Sequence, residues 1–473
     1  MNYGESDRII VLGDGSADHM GTGATERCSP HRKHDPDSKG RDFMPTSLWR
    51  IAERAKSHKA HHFGNLYGLL NEEYLRWCFY QLRKDAACGV DGITFAEYGI
   101  NLESNLRNLV QRLKAKRYHA KLVKRKYIPK VGTDKLRALG IPALEDKIVQ
   151  MGAARVLEAI FEADFLPVSY GYRPGTGPQK AVRDLTRLLN TGKYGWVVEA
   201  DIQGFFDNLD HDWLIRMLTQ RIADKSFLRL IRKWLKAGIL DTTGMVLHPL
   251  TGTPQGGIIS PILANIYLHF VLDLWFEKLE KPQNKGQTLL IRYADDFACA
   301  FQFYPEARDF FQKLPKRLQK FNLKVAAEKT RLLRFNRFQT KKSQTFDFLG
   351  FEFRWDVTRA GRPGVFKRTA KKKLKASFAS FTQWARKCLH RKVREWGKTL
   401  RAKFQGYWNY FGVRGNMESL VKYYSQCRRI LFKWLNRRSA RRSYTWEGFG
   451  NLLKHLRIPR PKIMEKTGMA VGA

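Results

Sequence analysis

Two adjacent aspartates, Asp295 and Asp296, interrupt the stretch QTLLIRYADDFACAFQF at 287–303. The apolar runs on either side, 289–293 and 297–303, are short and rich in β-formers, so the segment reads as a β-hairpin. Its turn chemistry is unusual: two carboxylates stand where Asn-Gly is common. Burying apolar strands beside a double negative charge is costly unless a cation sits there. A divalent metal held by oxygen ligands is the simplest such cation. Two metals held close together would clamp an in-line phosphoryl displacement. That chemistry needs a further carboxylate, and Asp201 supplies it. The run WVVEADI at 196–202 reads as a strand ending in this residue. A strand-end Asp alone is commonly a cap or turn residue. Its partnership with the 295/296 doublet, both within apolar strands, favours metal chemistry.

The elements around these carboxylates carry further candidates. Gly204-Phe205-Phe206-Asp207 follows Asp201, and Asp210 is placed to cap the next helix. Residues 121–129 and 136–141 read as a strand pair crowded by Lys124, Arg125, Lys126, Lys130, Lys135 and Arg137. Lysines protecting a sheet edge and cations clamping a triphosphate fit this hairpin equally well. The loop Gly252-Thr253-Pro254-Gln255-Gly256-Gly257 opens a helix expected over 258–276. Its glycines permit backbone approach to a ligand, and Gln255 stands at its mouth, although an ordinary helix-leading turn has the same look. After the hairpin come a helix over 306–321, strands over 323–326 and 330–335 around Glu328-Lys329, and an alternating strand over 346–355 with a bend at 349–351. Upstream, 45–83, 102–114, 145–165 and 178–189 read as helical. Residues 359–364 read as a linker because Gly and Pro punctuate them. Beyond lie helical patterns at 368–388, 392–411 and 418–438, and a closing segment at 446–456.

The chain has 473 residues, 43% of them hydrophobic, enough for several domains with a sizeable core. Its formal net charge of +42 points to a polyanionic partner. The excess is concentrated: from Gly361 onward, 29 Lys and Arg face only 4 Asp and Glu. Aromatics are interleaved there, among them Trp384, Trp396, Tyr407, Trp408, Tyr423 and Trp434. Cations can contact phosphates and ring faces can stack on bases, although any single aromatic is more simply core. Six scattered cysteines form no CxxC pair, which argues against a zinc ribbon or disulfide framework. No run reaches transmembrane length and no secretory signal pattern opens the chain, so a soluble intracellular protein is expected. Residues 1–44 read as a flexible extension. Its Gly13-Asp14-Gly15 lacks the helix and lysine of a phosphate loop, and Cys28, His31 and His34 are too loosely placed to define a metal site.

In order, the basic hairpin, Asp201 with GFFD, TPQGG, YADD, the Lys329 turn and LGF resemble the motifs of reverse transcriptases. The stretches RKYIPK, LRALGIPALEDKIVQ, SYGYRPG, GYWNYFGVRGN and KWLNRRS make the chain most similar to bacterial group II intron-encoded reverse transcriptase/maturases, over about 45–461. The resemblance implies an α+β right-hand polymerase: fingers with an N-terminal helical extension (45–190), a ferredoxin-like palm (191–360), a helical thumb or maturase X region (361–440) and a short basic DNA-binding-like region (441–473). It implies catalysis by Asp201, Asp295 and Asp296 with two Mg²⁺, for which Mn²⁺ is a possible substitute, the Ile202 carbonyl completing a metal shell. Lys130 and Arg137 would grip the incoming dNTP. Phe206, or its neighbour Phe205, would screen the sugar 2′-OH; Gln255 would face the nascent pair, and Lys329 would complete the nucleotide site. Implied partners are group II intron RNA, an RNA template with DNA primer, target DNA and dNTPs, in a bacterial cytoplasm with nucleoid association on DNA. The implied activity is RNA-directed DNA synthesis with maturase-promoted splicing and retrohoming. The Cys and His ligands of an HNH endonuclease, common in relatives, are not found after Pro461, and Ala138 stands where relatives often have Pro. A domesticated or anti-phage reverse transcriptase, a non-enzymatic splicing cofactor and an RNA-templated RNA polymerase are the alternatives. The thumb motifs argue against the first, the intact carboxylates against the second, and the Phe205-Phe206 pair against the third.

Overall fold

A computed structural model describes residues 45–129, 136–247, 250–253, 256–338, 343–388, 392–437 and 444–465. The extension at 1–44, Lys130, Gln255 and the arginines at 438, 441 and 442 lie outside the described residues.

The chain opens with helices α1 (Thr46–Ser57), α2 (Glu72–Gln81), α3 (Phe95–Ile100) and α4 (Leu102–Lys114). The helix expected over 45–83 is therefore two. Between them the chain pairs Phe63 with Ile222, makes a 3₁₀ turn at Tyr67–Leu69, and restarts where Asn71 caps the Tyr74 amide. Strands β1 (Val123–Pro129) and β2 (Leu136–Ile141) form an antiparallel pair, followed by α5 (Leu144–Phe161) and α6 (Pro178–Thr191). Next come β3 (Trp196–Gln203), α7 (Phe205–Asn208), α8 (His211–Thr219), α9 (Lys225–Leu235), β4 (Ile239–Leu240) and β5 (Val246–Leu247). Asp210 does cap α8, accepting from the Asp212 and Trp213 amides.

The helix expected over 258–276 begins at Ser260 and is longer than its pattern showed. α10 (Ser260–Leu268) continues through π-helical turns at His269–Asp273 and Phe276–Glu280 into α11 (Lys281–Gln283). The extra residue of each π turn shifts the helix phase, so a 3.6-residue pattern underestimates its length. The rest comprises β6 (Thr288–Tyr293), β7 (Asp296–Phe301), α12 (Tyr304–Gln319), β8 (Lys324–Val325), β9 (Arg331–Arg334), β10 (Phe346–Phe348), β11 (Phe351–Val357), β12 (Pro363–Thr369), α13 (Lys371–Lys387), α14 (Val393–Phe411), α15 (Met417–Leu435) and α16 (Trp446–His455).

The central sheet has the order β6-β7-β3-β8, and β9 pairs with the first half of β3. Every pairing is antiparallel. With α12 linking β7 to β8, this is the strand order of a split β-α-β sheet. Both of its faces are covered. Val198, Ala200 and Ile202 of β3 and Phe297, Cys299 and Phe301 of β7 enter the largest core, shared with α5, α8, α10 and α12. Val197, Ala298 and Ala300 point the other way, into a second core with α6 and β10–β12. Double burial explains why these strands read as nearly continuous apolar runs.

In the segment after β9 one expectation is sharpened and one fails. The bend expected at 349–351 is a full hairpin turn: the alternating stretch 346–355 is the pair β10 and β11, turned at Leu349 and Gly350, both at positive φ (51° and 76°). Residues 359–364 are not a linker. They turn β11 into β12, with Gly361 at φ 74° and Thr358 accepting from the Gly361 amide. Gly and Pro serve hairpin turns as well as linkers, and only strand partners far apart in sequence separate the two. The final helices α13–α16 share a third core, rich in stacked rings such as Tyr407 on Tyr423, 3.6 Å between centroids. Trp396, Tyr407, Trp408 and Tyr423 are therefore core residues. Among the described residues no helix is long and apolar enough to cross a membrane.

Candidate active site

The three expected carboxylates meet at one end of the central sheet. The β3–β7 register sets Asp201 opposite Asp296, and the β6–β7 register sets Tyr293 opposite Asp296. Side chains alternate along a strand, so Asp201 and Asp296 lie on the face that carries Val197, Ala298 and Ala300. Asp295 occupies the two-residue tip with Ala294. Ala294 adopts φ 56°, a left-handed conformation that costs an alanine about 1–2 kcal/mol.

The tip is held by Arg292, which the sequence reading passed over. Its side chain and that of Asp273 are both 0% exposed. All five guanidinium N–H groups find acceptors. Nε and Nη2 donate to the Asp273 carboxylate at 2.6 and 2.5 Å, and Nη2 also donates to Ser169 Oγ at 2.8 Å. Nη1 donates to Asn265 Oδ1 and to the Ala294 carbonyl, each at 3.1 Å. A charge leaves water only when paired and fully hydrogen-bonded, and this one is. The Ala294 carbonyl is thereby fixed in its strained turn. A second brace comes from the loop SYGYRPG. The Tyr170 amide donates to the Arg292 carbonyl at 2.8 Å, Asn265 Nδ2 donates to the Gly171 carbonyl at 2.6 Å, and Gly171 lies flat against Ala294. A Cβ on Gly171 would come within 2.4 Å of the Ala294 nitrogen. The available signal was an Arg inside LLIRY and an Asp inside VLDLW, opposite charges that each interrupt an apolar run.

Electrostatics separate the three carboxylates. Burial pushes Asp295 above the usual carboxylate range and Asp201 adds to the rise, while Arg137 and Lys329 oppose it. Burial drives Asp296 up to about 7, reinforced by Asp295, Asp201 and Glu199 and offset by the Leu349 amide, which donates to Asp296 Oδ2 at 3.2 Å. Asp201 forms an ion pair with Lys329 on the turn before β9. With Asp201 turned to Lys329 and Asp296 to the Leu349 amide, no three Asp, Glu, His or Cys side chains converge into a cation cage among the described residues. The donor set nonetheless fits a hard divalent cation: all ligands are oxygen, and the half-buried carboxylates of Asp295 and Asp296 are both raised by neighbouring negative charge, which a cation would relieve. The Asp201 carbonyl accepts from the Ala326 amide at 2.8 Å. Successive strand carbonyls alternate sides, so the Ile202 carbonyl faces the β7 side, where the tip lies.

The other expected residues are distributed unevenly. Arg137, exposed on β2, comes near enough to act on both Asp295 and Tyr172. Lys329 is brought in through Asp201. Phe205 is core, packed edge-on to Tyr267, whereas Phe206 is only half-buried on α7. The start of the TPQGG loop docks on the α7 backbone. The Thr253 amide donates to the Phe206 carbonyl and the Gly252 amide to the Leu209 carbonyl, each at 2.7 Å. On its other side Gly256, at φ 113°, lies so close to the Gly140 carbonyl of β2 that a Cβ would reach 2.6 Å from it. The loop thus spans from α7 to the basic hairpin. Lys130 and Gln255 lie outside the described residues.

Comparison with known proteins agrees with this geometry. A family described as reverse transcriptase (RNA-dependent DNA polymerase) matches residues 128–353. The chain is 31% identical over 385 residues to group II intron-encoded protein LtrA of Lactococcus lactis subsp. cremoris, covering 69% of this chain and 62% of that protein. It is 36% identical over 237 residues to protein YkfC of Escherichia coli K12, covering 44% of this chain and 62% of that one. A 91 kDa protein in a cob intron of Schizosaccharomyces pombe is 42% identical over 172 residues, 36% of this chain and 21% of that protein. The chain thus spans less than two thirds of the length of these relatives. The segment that matches the reverse transcriptase family contains Asp201, Asp295, Asp296 and the Arg292 brace, and the chain that carries it is similar to group II intron-encoded proteins.

Proposed function

We propose that this chain is an RNA-directed DNA polymerase that also binds group II intron RNA to promote its splicing and retrohoming. The observation that carries the reading is the placement of Asp201, Asp295 and Asp296 at neighbouring strand ends within the matched family segment. In this reading α1–α6 and the β1–β2 hairpin are the fingers, the central sheet with its helices is the palm, and α13–α15 are the thumb. The primer 3′-hydroxyl attacks the α-phosphorus of a dNTP and pyrophosphate leaves. Asp201, Asp295, Asp296 and the Ile202 carbonyl would hold two Mg²⁺. Bound there, these ions supply charge neutralisation at the attacking and leaving oxygens. The chain itself supplies position: Arg292 and Gly171 fix the tip before substrate arrives, so no reorganisation is needed at the moment of reaction. Arg137, with Lys130 from the same hairpin, would grip the triphosphate. Phe206, the less buried of the two phenylalanines, would lie under the sugar and disfavour a 2′-hydroxyl. The thumb presents its aromatics inward and its cations outward, a surface suited to RNA phosphates.

Primer extension on an RNA template with dNTPs and Mg²⁺ tests the reading. The native chain extends, and Asp295→Ala loses at least about 10²–10³-fold in rate while binding intron RNA as before. That RNA affinity falls steeply with salt. Extension by Asp295→Ala sinks the site assignment. No extension by the native chain, with RNA binding intact, moves the protein to a splicing cofactor.

A further inference from the structure

Tyr172 is the residue that the polymerase scheme leaves unused. It lies in the loop SYGYRPG at φ 56°, a conformation that Gly or Asn adopts at little cost and that a bulky aromatic rarely takes. The residues on both sides of it are anchored. Tyr170 donates through its amide to Arg292 and through its hydroxyl to Asp184, and its carbonyl accepts from Thr176 Oγ1 at 2.6 Å. Gly171 is pressed on Ala294. The Arg173 guanidinium donates to Glu162 and to the Leu166 and Ser169 carbonyls, at 2.7–3.0 Å. The surroundings therefore force this backbone, and strain held in this way clusters at functional sites.

What the strain achieves is visible in the side chain. A tyrosine serving the core would bury its ring, yet Tyr172 is 50% exposed. The ring stands 6.4 Å from that of Tyr293, the residue opening the catalytic tip, at an angle of 44°. Asp295 and Arg137 are both close enough to act on its hydroxyl, in opposite senses. A half-exposed aromatic ring on an anchored backbone thus stands beside Tyr293 at the catalytic tip, within electrostatic reach of Asp295 and Arg137. A fixed ring beside charged groups offers what a nucleoside needs: a stacking face tolerant of any base and an amphipathic edge for the sugar.

We infer that Tyr172 is a substrate-contacting residue whose ring packs on the nucleoside at the point of chain growth, a sugar and base supplied by the primer end or by the incoming nucleotide. The inference rests on the polymerase reading above. Tyr172→Phe keeps the ring. Tyr172→Asn and Tyr172→Gly remove it while accepting the backbone, so their thermal midpoints should equal or exceed the native one. Phe should retain native kinetics. Asn and Gly should raise the KM for dNTP or the Kd for primer–template roughly ten-fold, with kcat changed less. A rise in KM alone assigns the contact to the incoming nucleotide, and a rise in Kd alone to the primer end. A Gly variant native in both overturns the inference. A binding readout is independent of turnover: 2-aminopurine at the primer 3′ end should be quenched more by the native and Phe proteins than by Gly when the primer is the source. If the native chain extends no primer yet quenching depends on Tyr172, the polymerase reading fails and the contact stands.

Discussion

The hairpins β6–β7 and β1–β2 both pair antiparallel strands beside the candidate site, and they are held in opposite ways. β6–β7 lies between two cores, and the carbonyl of its tip residue Ala294 accepts from a buried guanidinium whose other hydrogen bonds tie it to Asp273, Ser169 and Asn265. β2 is the outermost strand of its sheet, and Tyr127, Ile128 and Leu136 near its turn are exposed. β1 pairs with β4 at its start, at Val123 and Lys124, and nearer its turn the ties are side-chain ones: Tyr127 Oη donates to Asp241 at 3.0 Å, and Arg125 approaches the same carboxylate at 3.8 Å. Carboxylates that repel one another must be placed before the substrate comes, so their hairpin is built into the core. Cations that capture a polyanion must be reachable, so theirs is left at an edge.

This contrast can be broken by mutation, and the largest effect should come from the buried brace. Arg292→Met leaves Asp273 as an unpaired buried charge and should cost about 3–5 kcal/mol in urea unfolding. Adding Asp273→Leu should recover most of that stability, because an apolar pair of similar volume replaces a buried ion pair at little net cost. Primer extension should stay low in the double variant, since the Ala294 carbonyl has lost its donor. Full activity in the double variant would show that the ion pair serves stability alone. A smaller effect, of opposite sign, is expected at the tip itself. Ala294→Gly removes the left-handed penalty and should stabilise the fold by up to about 1 kcal/mol, with extension retained because Arg292 still holds the carbonyl. Destabilisation there would mean that the positive φ carries no strain. The smallest effect belongs to the basic hairpin. Asp241→Ala should leave the unfolding midpoint unchanged and alter only dNTP affinity. A large shift in the midpoint would contradict the picture of a loosely tied edge.

The same contrast explains what the sequence made legible. Asp201, Asp295 and Asp296 could be found because each ends an apolar run, and local periodicity placed their strands within a residue or two of where they lie. The N-cap at Asp210 and helix α4 could be read for the same reason: their causes are local. The brace could not. Arg292 depends on Ser169, Asn265 and Asp273, which approach it only when α10, its π turn and the 169–175 loop have packed. Periodicity also misled where helix phase slips at His269–Asp273, and where a Gly-Pro stretch that looked like a tether proved to be a turn between two paired strands. Tyr172 stands in the SYGYRPG motif with nothing in its type to set it apart. Its exposure and its φ are properties of the folded loop, and no residue type announces them.

One contact has a mechanical meaning. Gly256 meets the Gly140 carbonyl backbone to backbone, with no side chain on either residue to interlock. Interdigitated side chains act as gear teeth, and moving past them means lifting one set over the other. Two backbones that meet with only the Leu139 side chain beside them are closer to a plain bearing. A pivot of the basic hairpin at this contact would meet the Leu139 side chain and no interlocked row, while Gly252 and Thr253 stay fastened through their amides to Leu209 and Phe206. A swing of the hairpin toward a bound triphosphate would then leave the carboxylates, held by β3, β7 and the Arg292 brace, where they were.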